Sequence, residues 1–597
     1  MQANRSLDLE TLFRVPSIYN YDVSPGGDSL AFSWNKSGQW EIYFYDLPTR
    51  TTRQLTEGPE SKISPCFAPD GNRLTFVQDY QGDENFDIFL LTLSEGESRN
   101  LTPGTAEAIY PQIRWSPDGM KLAFASNREG KFSVYVMSLS DGEVKRISDL
   151  ELNYSDPEWS PDGKWLAFSG LIAAQDHGIF VSHSERASIR RLTEDGKPIE
   201  ASSPRWSPDG KAISFRSSER GSSDVGIWHI ESGCVDWITN SHYECYDPRW
   251  SPDGSELAYI ANRQGNLNIE ILNLKTYVRK TIEVDAGVHL KVRFGRDRRT
   301  MFFTFSNADH PPDLWCANPD TNEFQQITKS LPDTISRSMF VSGKPVCFPS
   351  RDGLTIPALL YLPRDSHKIQ AALVYVHGGP TFQHVNEWHP LIQYLASTGY
   401  VVIAPNYRGS PGYGRDFRLA NRFVLGEKDV EDVVAAADYL IENTFSKPKN
   451  TGIFGESYGG YLTMCALTKR PNHWGAGVAL VPFINWFTEI QNERVDLRTW
   501  DLENMGDPEK DHNRFQNASP IFFLENISVP VQFIAGAHDP RCPISETKQA
   551  CEKLQKLNKV FDLVIYEDEG HEFRKLDNRV DAFKKLVSFF DTHLKRS

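Results

Sequence analysis

The stretch Gly455-Glu-Ser-Tyr-Gly-Gly460 decides the fold of the second half of this chain. It follows the apolar, strand-like residues 451–454 and precedes the helix-like residues 461–469. A tight turn from strand to helix that carries Gly-x-Ser-x-Gly is a nucleophile elbow, which exposes the serine hydroxyl at the top of the turn. Its glycines let the backbone fold back where a side chain would clash. Ser457 is therefore the candidate nucleophile.

The sequence around the elbow alternates between apolar strands and amphipathic helices. The runs Ala371-Ala-Leu-Val-Tyr-Val and Tyr400-Val-Val-Ile-Ala-Pro are continuously apolar, as expected of strands buried on both faces. Helical spacing appears at residues 430–443, 461–469, 546–557 and 579–594. This alternation predicts a mostly parallel sheet with helices on both faces, an α/β-hydrolase domain over residues 331–597.

A nucleophilic serine needs a base and a group that orients the base. The strand-like residues 531–536 lead into Asp539, and residues 563–566 lead towards His571. Both side chains are therefore predicted on loops at the carboxyl ends of strands, in the order Ser…Asp…His of α/β-hydrolases. The other histidines considered for the base fit less well, namely His512, His538 and His593. The sequence predicts a triad of Ser457, Asp539 and His571, and ordinary polar loop residues are the alternative for the last two.

Acyl transfer also needs donors for the oxyanion. His377-Gly-Gly-Pro380 directly follows the strand-like residues 371–376, where this fold supplies one backbone amide. The residue after the nucleophile, Tyr458, supplies the other. A glycine suits the first position because the backbone must approach the substrate closely, and a simple turn is the alternative reading.

A Ser-Pro-Asp-Gly turn recurs in the first half about every 45 residues. Proline fixes φ, aspartate bonds to the local backbone, and glycine takes a positive φ. The period is typical of a four-stranded blade, so seven copies predict a seven-bladed β-propeller over residues 17–330. The copies begin at Ser24, Ala68, Ser116, Ser160, Ser207, Ser251 and, in degenerate form, Gly295. The tryptophans before four of the turns are predicted to pack between blades: Trp115, Trp159, Trp206 and Trp250.

Length and composition exclude several classes of function. A chain of 597 residues is too long for one core, and residues 1–16 are predicted as a separate segment with a helix over residues 7–13 that packs on the hydrolase domain. The net charge of −15 argues against a nucleic-acid partner. No run approaches 18 apolar residues, so no membrane partner is expected. The eight cysteines lack a Cys-x-x-Cys pair, which favours reduced thiols in the cytoplasm over a disulfide framework or a zinc site.

Taken in order, these motifs resemble the prolyl oligopeptidase family of serine peptidases. The repeats, the His-Gly-Gly-Pro turn, Asn406-Tyr-Arg-Gly-Ser, the elbow, Asp-x-Arg and Glu-Gly-His-Glu-Phe cover nearly the whole chain. Within the family, the chain is most similar to the acylaminoacyl-peptidase branch. The resemblance implies the triad above, oxyanion amides from Gly379 and Tyr458, and no cofactor or metal. It also implies that Arg541 binds a substrate carbonyl, for which the fixed donors of a guanidinium are suited, with a surface salt bridge as the alternative.

The resemblance also implies a pocket for the side chain before the scissile bond. The family places apolar residues after the strand at residues 475–481, where this chain has Phe483, Trp486 and Phe487. An aromatic slot would favour large apolar substrate residues, and core packing is the alternative. No adjacent Glu-Glu pair occurs in the chain, so the amine-capturing device of dipeptidyl peptidases is not evident.

The function expected from the sequence is hydrolysis of short peptides, with release of N-acylated amino acids as a candidate activity. The propeller is expected to restrict substrate size. A carboxylic-ester hydrolase is the first alternative, because the same triad cleaves esters, and a non-catalytic propeller scaffold is the second. A homo-oligomer is compatible with the sequence.

Overall fold

The computed structural model describes residues 7–104, 109–173, 176–193, 200–365, 369 and 371–595. An N-terminal series of small antiparallel sheets precedes one mostly parallel sheet flanked by helices. Residues 1–6 of the predicted N-terminal segment lie outside the described ranges. Among the helices of the described residues, none is long and apolar enough to cross a membrane.

The antiparallel strands of the described residues group into seven units of four, and one parallel bridge joins the last two units. The first units contain β1 (Ile18–Val23), β2 (Ser29–Trp34), β3 (Glu41–Asp46), β4 (Thr51–Gln54), β5 (Lys62–Phe67), β6 (Arg73–Gln78), β7 (Asp87–Thr92), β8 (Glu97–Asn100), β9 (Arg114–Trp115), β10 (Lys121–Glu129), β11 (Lys131–Ser138) and β12 (Val144–Arg146). The next contain β13 (Asn153–Trp159), β14 (Trp165–Ala173), β15 (Asp176–His183), β16 (Arg186–Arg191), β17 (Ser202–Trp206), β18 (Ala212–Ser217), β19 (Asp224–His229) and β20 (Val235–Trp237). The last contain β21 (Glu244–Trp250), β22 (Glu256–Arg263), β23 (Asn266–Asn273), β24 (Arg279–Ile282), β25 (Val288–Phe294), β26 (Met301–Asn307), β27 (His310–Asn318) and β28 (Glu323–Gln326).

The Ser-Pro-Asp-Gly turn joins the first two strands of a unit by the bonds that its residue types allow. In the copy at Ser116, the hydroxyl donates to Asp118 Oδ1 at 2.6 Å and accepts from the Lys121 amide at 2.9 Å. The Gly119 amide donates to the Ser116 carbonyl at 2.9 Å, and Gly119 has a φ of 70°. The same serine-to-aspartate bond recurs at Ser160, Ser207 and Ser251.

The tryptophans tie neighbouring units together, which confirms their predicted role. Trp115 Nε1 donates to the carbonyl of Cys66 in the preceding unit, and Trp159 Nε1 donates to that of Arg114, both at 3.1 Å. The indole nitrogens of Trp206 and Trp250 likewise donate to a carbonyl in the unit that precedes their own.

The first and last units meet without exchanging a strand. Strands β1–β4 pair with one another, and a shared apolar cluster joins them to Phe302 and Leu314 of the last unit. The hydroxyl of Tyr21 adds one hydrogen bond to the Lys291 carbonyl at 2.6 Å. Side-chain packing therefore closes the propeller.

The C-terminal half is built on an eight-stranded sheet of order β29-β30-β32-β31-β33-β34-β35-β36, parallel from β32 onward. Its strands are β29 (Lys344–Pro349), β30 (Thr355–Tyr361), β31 (Ala371–Val376), β32 (Tyr400–Pro405), β33 (Thr451–Glu456), β34 (Ala476–Leu480), β35 (Val531–Gly536) and β36 (Phe561–Tyr566). The helices are α1 (Leu9–Phe13), α2 (Pro390–Ser397), α3 (Arg415–Leu419), α4 (Lys428–Glu442), α5 (Tyr458–Lys469), α6 (Trp486–Asn492), α7 (Val495–Met505), α8 (His512–Ala518), α9 (Ile544–Lys556) and α10 (Leu576–Leu594).

Both faces of this sheet are buried. Alternate residues of β31 contribute to two separate apolar clusters, one shared with α4 and α5 and the other with α2 and α10. Because successive strand side chains point to opposite faces, a strand covered on both sides must be apolar throughout. The predicted helix-covered sheet is confirmed.

The N-terminal helix α1 packs against the C-terminal half. Asp8 caps it by accepting from the Thr11 amide, and Leu9 and Phe13 are buried. The ring of Phe13 stacks on that of Phe583 in α10, with centroids 4.7 Å apart. Arg14 also pairs with Asp577 of α10 at 2.8 Å.

Arg408, in the loop after β32, forms a buried ion-pair network. Its guanidinium donates to both oxygens of Asp432 at 2.8 and 2.7 Å and to both oxygens of Asp352 at 2.8 and 2.9 Å. Asp432 is completely buried, and burial raises the pKa of its carboxyl against the opposing effect of Arg408. This network fixes the loop between β32 and α4.

We expect Arg408→Met to destabilise the protein by about 3–5 kcal/mol, because it leaves the buried Asp432 carboxylate without its partner. Calorimetry and urea unfolding would measure the loss. Arg351→Met is the matched control, since Arg351 pairs with Glu431 of the same helix at 3.1 Å but is half exposed. Such exposed pairs contribute about 0–1 kcal/mol, so equal losses in the two variants would contradict the assignment.

Candidate active site

Ser457 lies in the sharp turn between β33 and α5. Its φ of 57° and ψ of −125° are unfavourable for a residue with a side chain, and such strain is found at functional sites. The turn is held by a bond of 3.0 Å from the Ser457 amide to the Leu480 carbonyl. A side chain at Gly459 would collide with the Val376 carbonyl, so the close approach of α5 to β31 requires glycine there.

Asp539 and His571 lie on the loops after β35 and β36, as predicted. His571 Nδ1 is 2.8 Å from Asp539 Oδ2, and the two side chains are only 6% and 1% exposed. The other carboxylate oxygen, Asp539 Oδ1, accepts from the amides of Arg541 and Cys542, both at 2.9 Å. Asp539 is therefore oriented by its own loop and in turn orients His571.

Ser457 and His571 line the same cavity of about 580 Å³. Within the described residues, the structure shows no hydrogen bond between them; the Ser457 hydroxyl instead interacts with the thiol of Cys542. Hydrogen bonds between catalytic groups are often long in unliganded enzymes and tighten when substrate binds. The serine and histidine therefore share one site.

Two backbone amides are available beside the serine. Gly379, with a φ of 118°, lines both cavities that contain Ser457. Tyr458 is the first residue of α5, where the amides of a helix are unpaired. Neither amide donates a backbone hydrogen bond within the part of the chain that the structure describes.

Buried tyrosines fix both of these segments. The hydroxyl of Tyr458 donates to Asp429 Oδ2 at 2.6 Å, and burial raises the pKa of Asp429 to about 7. The hydroxyl of Tyr407 donates to the His377 carbonyl at 3.0 Å. The amides of Gly379 and Tyr458 are thereby attached to the buried core.

Arg541 is paired with a carboxylate from the propeller. Its Nε donates to Glu84 Oε2 at 3.0 Å, and its Nη2 is 2.6 Å from Glu84 Oε1. Arg494 also donates to Glu84, at 2.8 Å. Burial alone would raise the pKa of Glu84, but the two arginines overcome this and hold it at about 2. Arg541 lines both cavities beside Ser457. Its side chain is 35% exposed, and that of its partner Glu84 is 5% exposed.

The predicted aromatic pocket is only partly formed as expected. Phe483 and Trp486 line a second cavity of about 340 Å³ that also contains Ser457. Phe487 does not line it, because the next position of α6 faces the other way and the Phe487 ring packs against Phe515 and Phe522. The structure therefore does not bring Phe487 to the site.

Several residues at the site were missed from the sequence. Glu84 carries no motif, and its contact with Arg541 depends on how the two domains meet. Glu489 and Glu493 also line the second cavity. Their spacing of one helical turn, shortly after the aromatic residues Trp486 and Phe487, is the only signal that could have identified them. No cluster of three metal-ligating side chains occurs among the residues described.

Comparison with known proteins extends these observations. Residues 387–597 match the prolyl oligopeptidase family model, and residues 21–201 and 189–359 match the TolB beta propeller domain. The uncharacterized peptidase YuxL of Bacillus subtilis is 24% identical over 97% of this chain and 98% of its own length. The acylamino-acid-releasing enzyme of Arabidopsis thaliana is 27% identical, but the match covers 39% of this chain and 31% of that enzyme.

Solved structures share the whole architecture. A puromycin-hydrolyzing peptidase of Mycobacterium tuberculosis superposes with a TM-score of 0.86 at 19% identity, over 99% of this chain and 97% of that one. At this identity the match shows the fold alone. Together with the family models, it establishes a TolB-type propeller followed by a hydrolase domain. The chain is a serine peptidase whose catalytic domain, residues 387–597, belongs to the prolyl oligopeptidase family.

Proposed function

We propose that Ser457, His571 and Asp539 are the catalytic triad, and that the enzyme hydrolyses short peptides through an acyl-enzyme. The observation that carries this is the 2.8 Å contact between His571 Nδ1 and Asp539, made beside a cavity that His571 shares with Ser457. Asp539 holds the proton on Nδ1, which leaves Nε2 free to accept the serine proton. Ser457 then attacks the carbonyl, and His571 passes the proton to the leaving amine.

The oxyanion of the tetrahedral intermediate is assigned to the amides of Gly379 and Tyr458. Both belong to segments held by buried tyrosines, so they need little rearrangement as charge develops. The guanidinium of Arg541, fixed by Glu84, is assigned to a substrate carbonyl. Water subsequently hydrolyses the acyl-enzyme, with His571 acting as base.

Restriction of substrate size follows from the location of the cavity. Tyr19, Trp40 and Ile63 of the propeller line the larger cavity opposite Ser457. A substrate must therefore fit between the two domains, which an extended peptide can do and a folded protein cannot.

We further propose a preference for peptides whose amino terminus is blocked. Glu84, the propeller carboxylate beside Arg541, already binds two arginines, so it does not offer a free carboxylate to the α-ammonium group of a substrate. Acylamino-acid-releasing enzymes among the relatives are consistent with this proposal.

Matched p-nitroanilides test this preference. We expect kcat/KM to be at least about 10-fold higher for the acetylated than for the free-amine form of the same amino acid. Acetyl and free forms of both leucine and lysine should be compared, so that the side chain does not confuse the result. An equal or reversed ratio for both amino acids would contradict the preference, while hydrolysis of either form would still support peptide cleavage.

A further inference from the structure

The smaller cavity beside Ser457 is lined by carboxylates, which the binding of an apolar side chain would not require. It lies between the segment formed by α6 and α7 and the propeller. Aromatic side chains form much of its wall, namely Tyr110, Tyr154, Phe483, Trp486 and Trp500. Glu489, Glu493 and Asp501 also line it. We call the space enclosed by these residues the acidic cavity.

In two of these carboxylates, one oxygen lacks a hydrogen-bond partner. Glu489 and Glu493 are 2% and 5% exposed, and Oε2 of the first and Oε1 of the second have no hydrogen-bond partner. Buried polar atoms are almost always hydrogen-bonded, because an unpaired one loses its hydration without compensation. Two such oxygens in the wall of one cavity indicate a ligand that donates to them.

The electrostatic surroundings also indicate a cation. Burial is the main cause that raises the pKa of both Glu489 and Glu493, and the nearest negative charges add to it, Glu546 at the first and Asp501 at the second. At Glu493, the positive charge of Arg498 offsets only part of this rise in pKa. Arg498 Nη2 already donates to the Gln491 carbonyl. A positively charged group in the acidic cavity would relieve this unfavourable accumulation of carboxylates.

The aromatic walls and the carboxylates of the acidic cavity together indicate which kind of cation it binds. Lysine and arginine side chains place an aliphatic stem before the charge, and such stems pack well on aromatic walls while the head meets carboxylates. We propose that the acidic cavity binds the side chain of a lysine or arginine residue whose carbonyl Ser457 attacks. This specificity rests on the proposed catalytic role of Ser457, and it replaces the preference for apolar residues expected from the sequence.

A free α-ammonium group is the other source of a cation. It lies only two bonds from the attacked carbonyl carbon, whereas Cys542 lies between Ser457 and Glu489, since its thiol interacts with both. The Cys542 side chain therefore separates Ser457 from the carboxylate of Glu489. A lysine or arginine head group spans that separation.

Blocked aminomethylcoumarin substrates test the proposal. We expect wild-type kcat/KM for acetyl-lysine and acetyl-arginine substrates to exceed that for the neutral norleucine and citrulline analogues at least about 10-fold. Glu489→Gln and Glu493→Gln should each lower the values for basic substrates by about 30-fold or more, and lower those for neutral substrates far less. Glu509→Gln, on the exposed surface beyond α7, is the control and should change neither.

Labelling of Ser457 by a fluorophosphonate gives a readout that needs no peptide turnover. Acetyl-arginine, but not acetyl-norleucine, should protect wild-type enzyme from labelling, and both glutamine variants should still be labelled but should not be protected. A wild-type preference for norleucine, or equal losses for basic and neutral substrates in the variants, would overturn the proposal. A loss confined to free-amine leucine would assign the carboxylates to an α-ammonium and also overturn it. Absent labelling of wild type would instead refute the catalytic role of Ser457.

Discussion

Asp539→Asn is expected to lower kcat by about 10⁴-fold while the protein remains folded. The asparagine oxygen can still accept from the amides of Arg541 and Cys542, which now bond to Asp539 Oδ1. Its NH₂ group then faces His571 Nδ1 and forces that nitrogen to act as an acceptor. The imidazole proton moves to Nε2, where it prevents His571 from accepting the proton of Ser457. Steady-state kinetics with an acetylated p-nitroanilide would measure the loss.

Asp568→Asn is the matched control for this experiment. Asp568 lies in the loop before His571 and pairs with Lys575 at 2.6 Å, but it is about half exposed. We expect its kcat to stay within a few-fold of wild type and the melting temperatures of both variants to stay close to that of wild type. A loss below 10-fold in Asp539→Asn, with the fold intact, would show that Asp539 does not orient the base.

The parts of the molecule that repeat or alternate could be predicted from the sequence. Each Ser-Pro-Asp-Gly turn is determined by its own residues, so the copy at Ser116 forms the bonds that its composition allows. The strands of the large sheet were recognisable because burial on both faces requires continuous apolar runs. Helix α5 begins three residues earlier than predicted, since the elbow glycines are helical although they carry no apolar side chain.

The contacts between distant segments could not be predicted. The pairing of Arg541 with Glu84 joins a loop of the propeller to a loop of the catalytic domain, and neither residue carries information about the other's position. Whether Phe487 faced the cavity depended on the rotation of α6, which a one-residue change alters by about 100°. The burial of Glu489 contradicts the usual exposure of glutamate, so composition alone favoured a solvated position.

The most direct test of the whole account is the covalent labelling of Ser457. A fluorophosphonate probe should modify the wild-type protein once, and mass spectrometry of the digested protein should place the label on Ser457 within the elbow peptide. Ser457→Ala should not be labelled, and its kcat should be about 10⁶-fold lower than that of wild type. Because the alanine removes only the hydroxyl, its melting temperature should stay close to that of wild type. Retained labelling or retained peptide hydrolysis in Ser457→Ala would contradict the assignment of the nucleophile, and with it the catalytic account.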